Sequence, residues 1–366
     1  MRYESLRSRV GKRALPTVHI VDMRVEFQKH GGEKLCSDPL ADGIRKRLEK
    51  QQQILMLLNR RGYASALLCR ACGHTESCHN CSVTLTYHRD RSRLTCHYCG
   101  YSRSLPRRCP DCNKQYLHYL GMGTEQVEEK LQALFPQARI DRLDRDSTRR
   151  KGRLQSILQS FRSRETDILV GTQMVAKGHD FPGVTLVGVL AADQGLRLAD
   201  FRAAERTFQL LTQVAGRAGR GDHPGEVVIQ TYFPNHYSLK YACMQDYERF
   251  YEREIRFRRR FRYPPFTALA NLVIRGPREN QTKTIAADLA RSLVEIRNTL
   301  SDARRLRVLG PAPAALFRLK GEYRFQVLLK TTSRKELNQV VVEALEKLPS
   351  RHRKRVIIDI DPVNLL

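Results

Sequence analysis

Asp167-Ile168-Leu169-Val170-Gly171-Thr172-Gln173-Met174-Val175-Ala176-Lys177-Gly178-His179-Asp180-Phe181-Pro182 begins with an apolar run and passes at once into polar, glycine-containing sequence. A short uninterrupted apolar run that stops at Gly-Thr is the pattern of a strand buried on both faces, as in a parallel sheet. A second such run fills residues 184–191, and apolar residues at helical spacing follow over 203–214. The helix runs into a loop, Gln213-Val214-Ala215-Gly216-Arg217-Ala218-Gly219-Arg220, with two arginines three residues apart. Strands alternating with helices predict an α/β architecture. Arginines held at fixed positions by tight glycine turns suit phosphate chemistry, because each planar guanidinium can bridge two oxygens of a transferring phosphoryl group.

The alternation extends on both sides. Residues 18–22 and 54–58 read as strands around a helix that starts at Asp38-Pro39, with Asp38 as N-cap and Leu40, Ile44 and Leu48 on one stripe. Later come a helix carrying Val127, Leu131 and Leu134, a strand over 139–143, a helix over 148–162 and a strand over 226–231. Residues 17–65 and 117–233 therefore predict one parallel-sheet lobe, interrupted by residues 66–116. Residues 1–16 are basic and irregular and read as the tail of an upstream region.

Four Cys-x-x-Cys pairs fill the interruption: Cys69 and Cys72, Cys78 and Cys81, Cys96 and Cys99, Cys109 and Cys112. Each turn sets two thiolates on one side of a tight loop, and two turns complete a tetrahedral zinc shell. Eight cysteines thus predict two closed, structural Zn2+ sites, whose binding supplies folding energy to a segment poor in apolar side chains. Spacing alone leaves open which pairs share an ion. Cys36 and Cys243 read as ordinary buried thiols, and His74, His79, His88 and His97 as surface residues. Arginines interleaved with Tyr87, Tyr98 and Tyr101 give the insert either a face for nucleic acid or a partner, or a solvated surface.

Residues 234–366 open with a basic helix over 237–260, stopped by Tyr263-Pro264-Pro265-Phe266. Strands over 267–275, 307–310, 323–330 and 355–360 and helices over 280–300 and 333–348 then alternate as βαββαβ, with a turn at Pro311-Ala312-Pro313. The order predicts a small split βαβ α+β domain of a kind shared with many RNA-binding and ribosomal modules, and fold analogy alone licenses no function. The positive run from Arg249 to Arg262 reads as a phosphate track or a wet helix face.

A formal net charge of +27 over 366 residues implies a polyanionic partner, although ribosomal and membrane-surface proteins are also basic. No apolar run approaches the roughly 20 residues of a membrane span, and no signal-peptide pattern opens the chain. The expected location is the cytoplasm, where reduced thiols favour metal over disulfides.

Gly171–Pro182 and the stretch from Asp200 to Arg220 resemble motifs V and VI of superfamily 2 helicases, and more narrowly the PriA family of replication-restart helicases. Residues 121–129, Tyr263-Pro264-Pro265-Phe266, Gly310-Pro311-Ala312-Pro313 and Asp359-Ile360-Asp361-Pro362 are similar to the same family, so the resemblance covers residues 17–366. It implies a RecA-like second helicase lobe, a two-zinc insert and a closing domain. It further implies ATP-dependent 3′–5′ DNA unwinding, recognition of stalled forks and primosome assembly. On this resemblance Arg217 and Arg220 face the γ-phosphate of ATP with Gln213 in support, and Gly178 and Asp180 contact the nucleotide. Thr172 and Lys177 would meet the DNA backbone, and Arg60 and Arg61 further phosphates. The outer cysteine pairs would share one zinc and the inner pairs the other. Implied partners are forked or single-stranded DNA, single-stranded-DNA-binding protein and other primosome proteins, at the nucleoid.

No Gly-x-x-x-x-Gly-Lys-Ser/Thr loop and no Asp-Glu magnesium pair occur in the sequence. ATP and Mg2+ are therefore expected to need a first helicase lobe outside this chain, and the chain alone is expected to lack ATPase activity. Two other readings compete. A non-enzymatic zinc-containing DNA-binding or primosome-interaction module would show no hydrolysis under any condition. A ribosome-associated protein would prefer structured RNA to forked DNA.

Overall fold

The computed structural model describes residues 15–32, 34–58, 67–79, 84–88, 93–96, 99–115, 117–119, 124–144, 147–148, 152–176, 181–197, 200–221, 223–300, 302, 305–363 and 365. Strand β1 (Thr17–Asp22) runs into α1 (Met23–His30), where the Asp22 carboxylate accepts the Arg24 amide at 3.0 Å and Gly31, at φ 66°, ends the helix. α2 (Asp38–Glu49) has Ser37, not Asp38, at its N-cap. Asp38 is instead the first helical residue, and its carboxylate binds Lys29 (2.6 Å), His30 (2.9 Å) and Lys34 (2.9 Å). β2 (Gln53–Leu58) follows.

The cysteine-rich segment contains β3 (Leu67–Cys69), β4 (Thr86–His88), β5 (Arg93–Thr95), β6 (Ser102–Ser104) and β7 (Leu117–Tyr119). β3 pairs antiparallel with β7 and closes the stem, while β4, β5 and β6 form a small antiparallel sheet.

The α/β alternation resumes with α3 (Thr124–Leu134), β8 (Ile140–Leu143), α4 (Arg153–Arg162), β9 (Ile168–Gly171), α5 (Gln173–Ala176) and β10 (Val184–Leu190). It ends with α6 (Ala203–Ala215), β11 (Glu226–Thr231), α7 (Tyr237–Met244) and α8 (Tyr247–Arg260). The six strands form one sheet in the order β1-β11-β10-β2-β9-β8, every neighbour parallel. Its two faces explain the uninterrupted apolar runs. Ile54, Met56 and Leu186 pack under Leu40, Ile44 and Leu131, while Leu55, Leu57 and Val187 pack under Phe161, Phe208 and Leu211.

Two predicted helices change shape. The one expected over 148–162 starts at Arg153, because Gly152 sits in the left-handed region at φ 84°. The helix expected over 237–260 is two: Gln245 turns left-handed at φ 52°, and the Asp246 carboxylate caps α8 by accepting the Arg249 amide at 3.0 Å. Leu239, Ala242 and Phe250 of this pair lie in the core of the parallel-sheet lobe.

β12 (Ala268–Gly276), α9 (Glu279–Thr299), β13 (Arg307–Leu319), β14 (Glu322–Thr331), α10 (Arg334–Glu346), α11 (Ser350–Arg353) and β15 (Val356–Ile360) complete the chain. The antiparallel order is β13-β14-β12-β15, with α9 and α10 packed on one face. Pro311 and Pro313 do not make the expected turn; β13 runs through them, with register shifts after Leu309 and Pro313. As an edge strand, β13 tolerates residues that cannot donate to a ladder. Among the described residues no helix is long and apolar enough to cross a membrane.

One cap makes the lobe sensitive to pH. His236 Nδ1 accepts the Ser238 amide at 3.3 Å at the start of α7, and burial lowers the imidazole from 6.5 to about 4. This depressed group contributes fully above about pH 6.5, and its contribution is lost as pH falls toward about 4. His236→Asn keeps an acceptor and removes the titration. Urea unfolding should show wild type losing up to about 3 kcal/mol relative to this variant between pH 7 and pH 4, and a pH-independent difference would refute the assignment.

Candidate functional site

The arginine loop is built by the end of α6. Phe208, Leu211, Val214 and Ala215 bury one face of the helix, and after Gly216 the Arg217 and Ala218 amides donate back to Val214 (2.9 Å) and Ala215 (3.3 Å). Gly219, at φ 68°, then donates its N–H to the Val184 carbonyl at 3.1 Å, fastening the loop to the start of β10. Only glycine fits there: a methyl at Gly219 would lie 2.5 Å from the Gly225 nitrogen, and one at Gly221 2.5 Å from the Pro182 carbonyl oxygen. Arg217 and Arg220 are half-buried and Gln213 is exposed, with Arg220 Nε donating to the Gly216 carbonyl at 2.9 Å.

The loop is thus packed against the residues that follow 177–180, two segments more than thirty positions apart in sequence. Lys177, Gly178 and Asp180 themselves lie outside the described residues, as do Arg60 and Arg61. Thr172 is elsewhere. It follows the last residue of β9, where Gly171 pairs with Leu57 of β2, at the opposite end of the parallel strands from Val184, which pairs with Gln53. The span of β2 between those levels, with the further step to Thr172, puts the two ends about 16 Å apart along the strands.

In the insert, three Cys-x-x-Cys turns repeat one backbone pattern. Cys69, Cys96 and Cys109 donate to the carbonyls of His74 (2.9 Å), Tyr101 (2.7 Å) and Lys114 (3.0 Å). Their own carbonyls accept the amides of Gly73 (2.8 Å), Gly100 (3.0 Å) and Asn113 (2.9 Å), all three at positive φ. The turns bring Cys69, Cys72, Cys109 and Cys112 together, with all four sulfurs within 4.8 Å of one another, and Cys78, Cys96 and Cys99 likewise; Cys81 lies outside the described residues. Sulfur separations of 3.6 Å (Cys69–Cys112), 3.5 Å (Cys72–Cys109) and 3.6 Å (Cys78–Cys99) are far too long for disulfides. They are close to the roughly 3.8 Å edge of a tetrahedron with 2.3 Å Zn–S bonds, so the donor set fits zinc. Cys36 and Cys243 stand apart as ordinary thiols, pushed up by burial to about 12 and about 11.

A polar bridge links the clusters. His74 Nδ1 meets Asp111 Oδ2 at 2.8 Å, joining the two turns of the first cluster, and its Nε2 faces Glu76 Oε1 at 3.4 Å. Glu76, only 5% exposed, accepts from Arg103 Nη1 at 2.8 Å, in the strand that leaves the second cluster. Sequence reading placed His74 on the surface and gave Glu76 no role. The available signal was compositional, since Glu76, Asp90 and Asp111 are the carboxylates of a strongly basic insert. Tyr87 and Tyr101 are partly buried against an inter-domain cluster, and Tyr98 lies outside the described residues.

Comparison with known proteins identifies the parts. The primosomal protein N C-terminal domain matches residues 259–363, the PriA DNA helicase Cys-rich region domain 78–103, and the helicase conserved C-terminal domain 114–222. Replication restart protein PriA of Bacillus subtilis (strain 168) is 42% identical over 358 residues, 98% of this chain and 44% of the relative. The proteins of the same name from Synechocystis (41% identical; 98% of this chain, 42% of the relative) and Treponema pallidum (41%; 99% and 53%) are similar. The chain belongs to the PriA family. It spans about half the length of the curated relatives it matches, and corresponds to the C-terminal part of PriA.

Within this PriA-family chain, the Glu76 bridge should be a measurable tie. Glu76→Ala leaves Arg103 without its acceptor, removes the carboxylate that faces His74, and should destabilise the insert by about 1–2 kcal/mol, read as a lower chelator concentration for unfolding in the far ultraviolet. Unchanged chelator resistance would remove the bridge from the account.

Proposed function

We propose that the chain is the C-terminal half of a PriA-type ATP-dependent 3′–5′ DNA helicase that acts at stalled replication forks and starts primosome assembly. The observation that carries this reading is the arginine loop fastened to the start of β10, at the end of the strands opposite Thr172. One end then serves nucleotide and the other DNA. Arg217 and Arg220 stabilise charge on the γ-phosphate, supported by Gln213 on the last turn of α6. Gly178 and Asp180 contact the nucleotide. Thr172, Lys177, Arg60 and Arg61 meet the DNA backbone. ATP and Mg2+ supply the phosphoryl chemistry when held by a first helicase lobe, and this chain's part is to complete the site by positioning its guanidinium groups. Two Zn2+ ions are structural, one on Cys69, Cys72, Cys109 and Cys112 and the other on Cys78, Cys81, Cys96 and Cys99. Partners are forked or single-stranded DNA, single-stranded-DNA-binding protein and other primosome proteins, in the cytoplasm at the nucleoid.

The test pairs this chain with a polypeptide carrying the N-terminal half of the Bacillus subtilis relative. DNA-stimulated ATP hydrolysis should appear in the mixture and fall on the order of 10³-fold in Arg217→Ala or Arg220→Ala; full activity in both variants would contradict the assignment. Metal analysis of the purified chain should find about two zinc ions, and about one after Cys72→Ser with Cys112→Ser. A single ion in the wild-type chain would reduce the insert to one site.

A further inference from the structure

Helix α8 carries a row of charge that the fold does not use. Arg249, Arg253, Arg256 and Arg260 are all exposed and lie at i, i+4, i+7 and i+11, so they share one face over about 16 Å. The opposite face is fixed. Phe250 stacks on Phe208 with ring centroids 4.1 Å apart, and the Arg258 guanidinium bonds Glu254 (2.8 Å) and Glu205 of α6 (2.7 Å). The row is therefore held at a set angle to the lobe.

Like charges at these spacings destabilise a helix. The relief available inside the chain is small. Arg249 approaches Asp246 at 3.4 Å, and the Arg260 guanidinium lies over the Phe261 ring at 5.5 Å. Glu252 shares this face, at i+3 from Arg249 and i−4 from Arg256, yet among the described residues no ion pair joins it to either arginine, and neither Arg253 nor Arg256 has a carboxylate within ion-pair distance. The fifth exposed arginine, Arg259, is turned away onto the Phe266 ring at 4.8 Å. An anion supplied from outside removes the conflict, and the ligand whose charges recur along a line is a nucleic-acid backbone.

We propose that the arginine row of α8 is a DNA backbone-binding track, in which each guanidinium faces a phosphate and no base is read. It rests on the proposed function in requiring that the chain bind DNA, and adds where the strand lies: along the helix that leads from the parallel-sheet lobe to the C-terminal domain. A backbone track gives affinity without sequence preference and releases about one counterion per neutralised phosphate.

Binding of the purified chain to a fluorescein-labelled forked oligonucleotide, and separately to a single strand and a duplex, is measured from about 50 to about 200 mM salt. Arg253→Ala with Arg256→Ala should lower the slope of log K against log salt by about 1.4 on single-stranded DNA and about 1.8 on duplex, and weaken binding roughly 20- to 60-fold near 0.1 M salt whatever the sequence. A full slope change on one form with none on the other tells which form lies on the track. Arg253→Lys with Arg256→Lys keeps the charge and should keep the slope. Arg291→Ala with Arg305→Ala removes equal charge from exposed sites, both already paired with aspartates, and should change it little. Thermal melts confirm that each variant is folded. A wild-type slope in the Arg253/Arg256 alanine variant, or the same loss in the Arg291/Arg305 control, overturns the track while leaving the helicase reading intact. Failure of the wild-type chain to bind any of the three DNAs overturns both.

Discussion

Tyr263 is completely buried where three parts of the chain meet, and the arrangement of those parts depends on it. Its ring stacks on Phe201 from the segment before α6, at 4.8 Å and 6° between planes, and the Lys330 ammonium of β14 lies 3.5 Å from its centroid. Leu269 and Leu328 of the C-terminal sheet close over it, and Leu67, Leu85 and Leu94 arrive from the insert. Two prospective zinc ligands, Cys78 and Cys96, belong to the same cluster. The insert has few apolar residues of its own, so its thiolate turns and this junction support each other: metal orders the turns, and ordered turns present the leucines. Outside the cluster the seam is polar, with Arg202 and Arg206 donating to the Val363 carbonyl at 2.8 and 2.6 Å.

The β10 start and the arginine loop lie at one end of the parallel strands, while Thr172 and the ends of β2 and β9 lie at the other. α8, fixed to α6 through Phe250 and Arg258, leads from this lobe toward the C-terminal domain.

The elements legible in the sequence are those in which local chemistry and tertiary context agree. Ile168, Leu169 and Val170 read as a doubly buried strand because both faces of the sheet are covered, and the four cysteine pairs read as metal turns because two thiolates need one tight loop. The βαββαβ order of the last domain was also readable. Other features depend on partners far away in sequence. Ser37 holds the cap position without a side-chain bond, while the Asp38 carboxylate binds Lys29, His30 and Lys34 and the Asp38 amide donates to Glu26. β13 passes through Pro311 and Pro313 because it lies at an edge, a fact about neighbours rather than about those residues. The break at Gln245 lies between two helices whose apolar residues both face the lobe, so periodicity runs on across it. His74 and Glu76 carry no spacing pattern, only the rarity of carboxylates in a basic insert; the convergence of two clusters gives them work. The arginine loop was visible as a motif, but its attachment to Val184 was not.

Hydrogen exchange with and without metal tests the dependence of the junction on the thiolate clusters most directly. Chelation should abolish amide protection in residues 67–79, 93–96 and 99–115 and also loosen Phe201 and residues 257–263, while the buried strands β2, β9 and β10 stay protected. Unchanged protection around Tyr263 after complete loss of metal would show that the junction stands by itself, and would contradict the account.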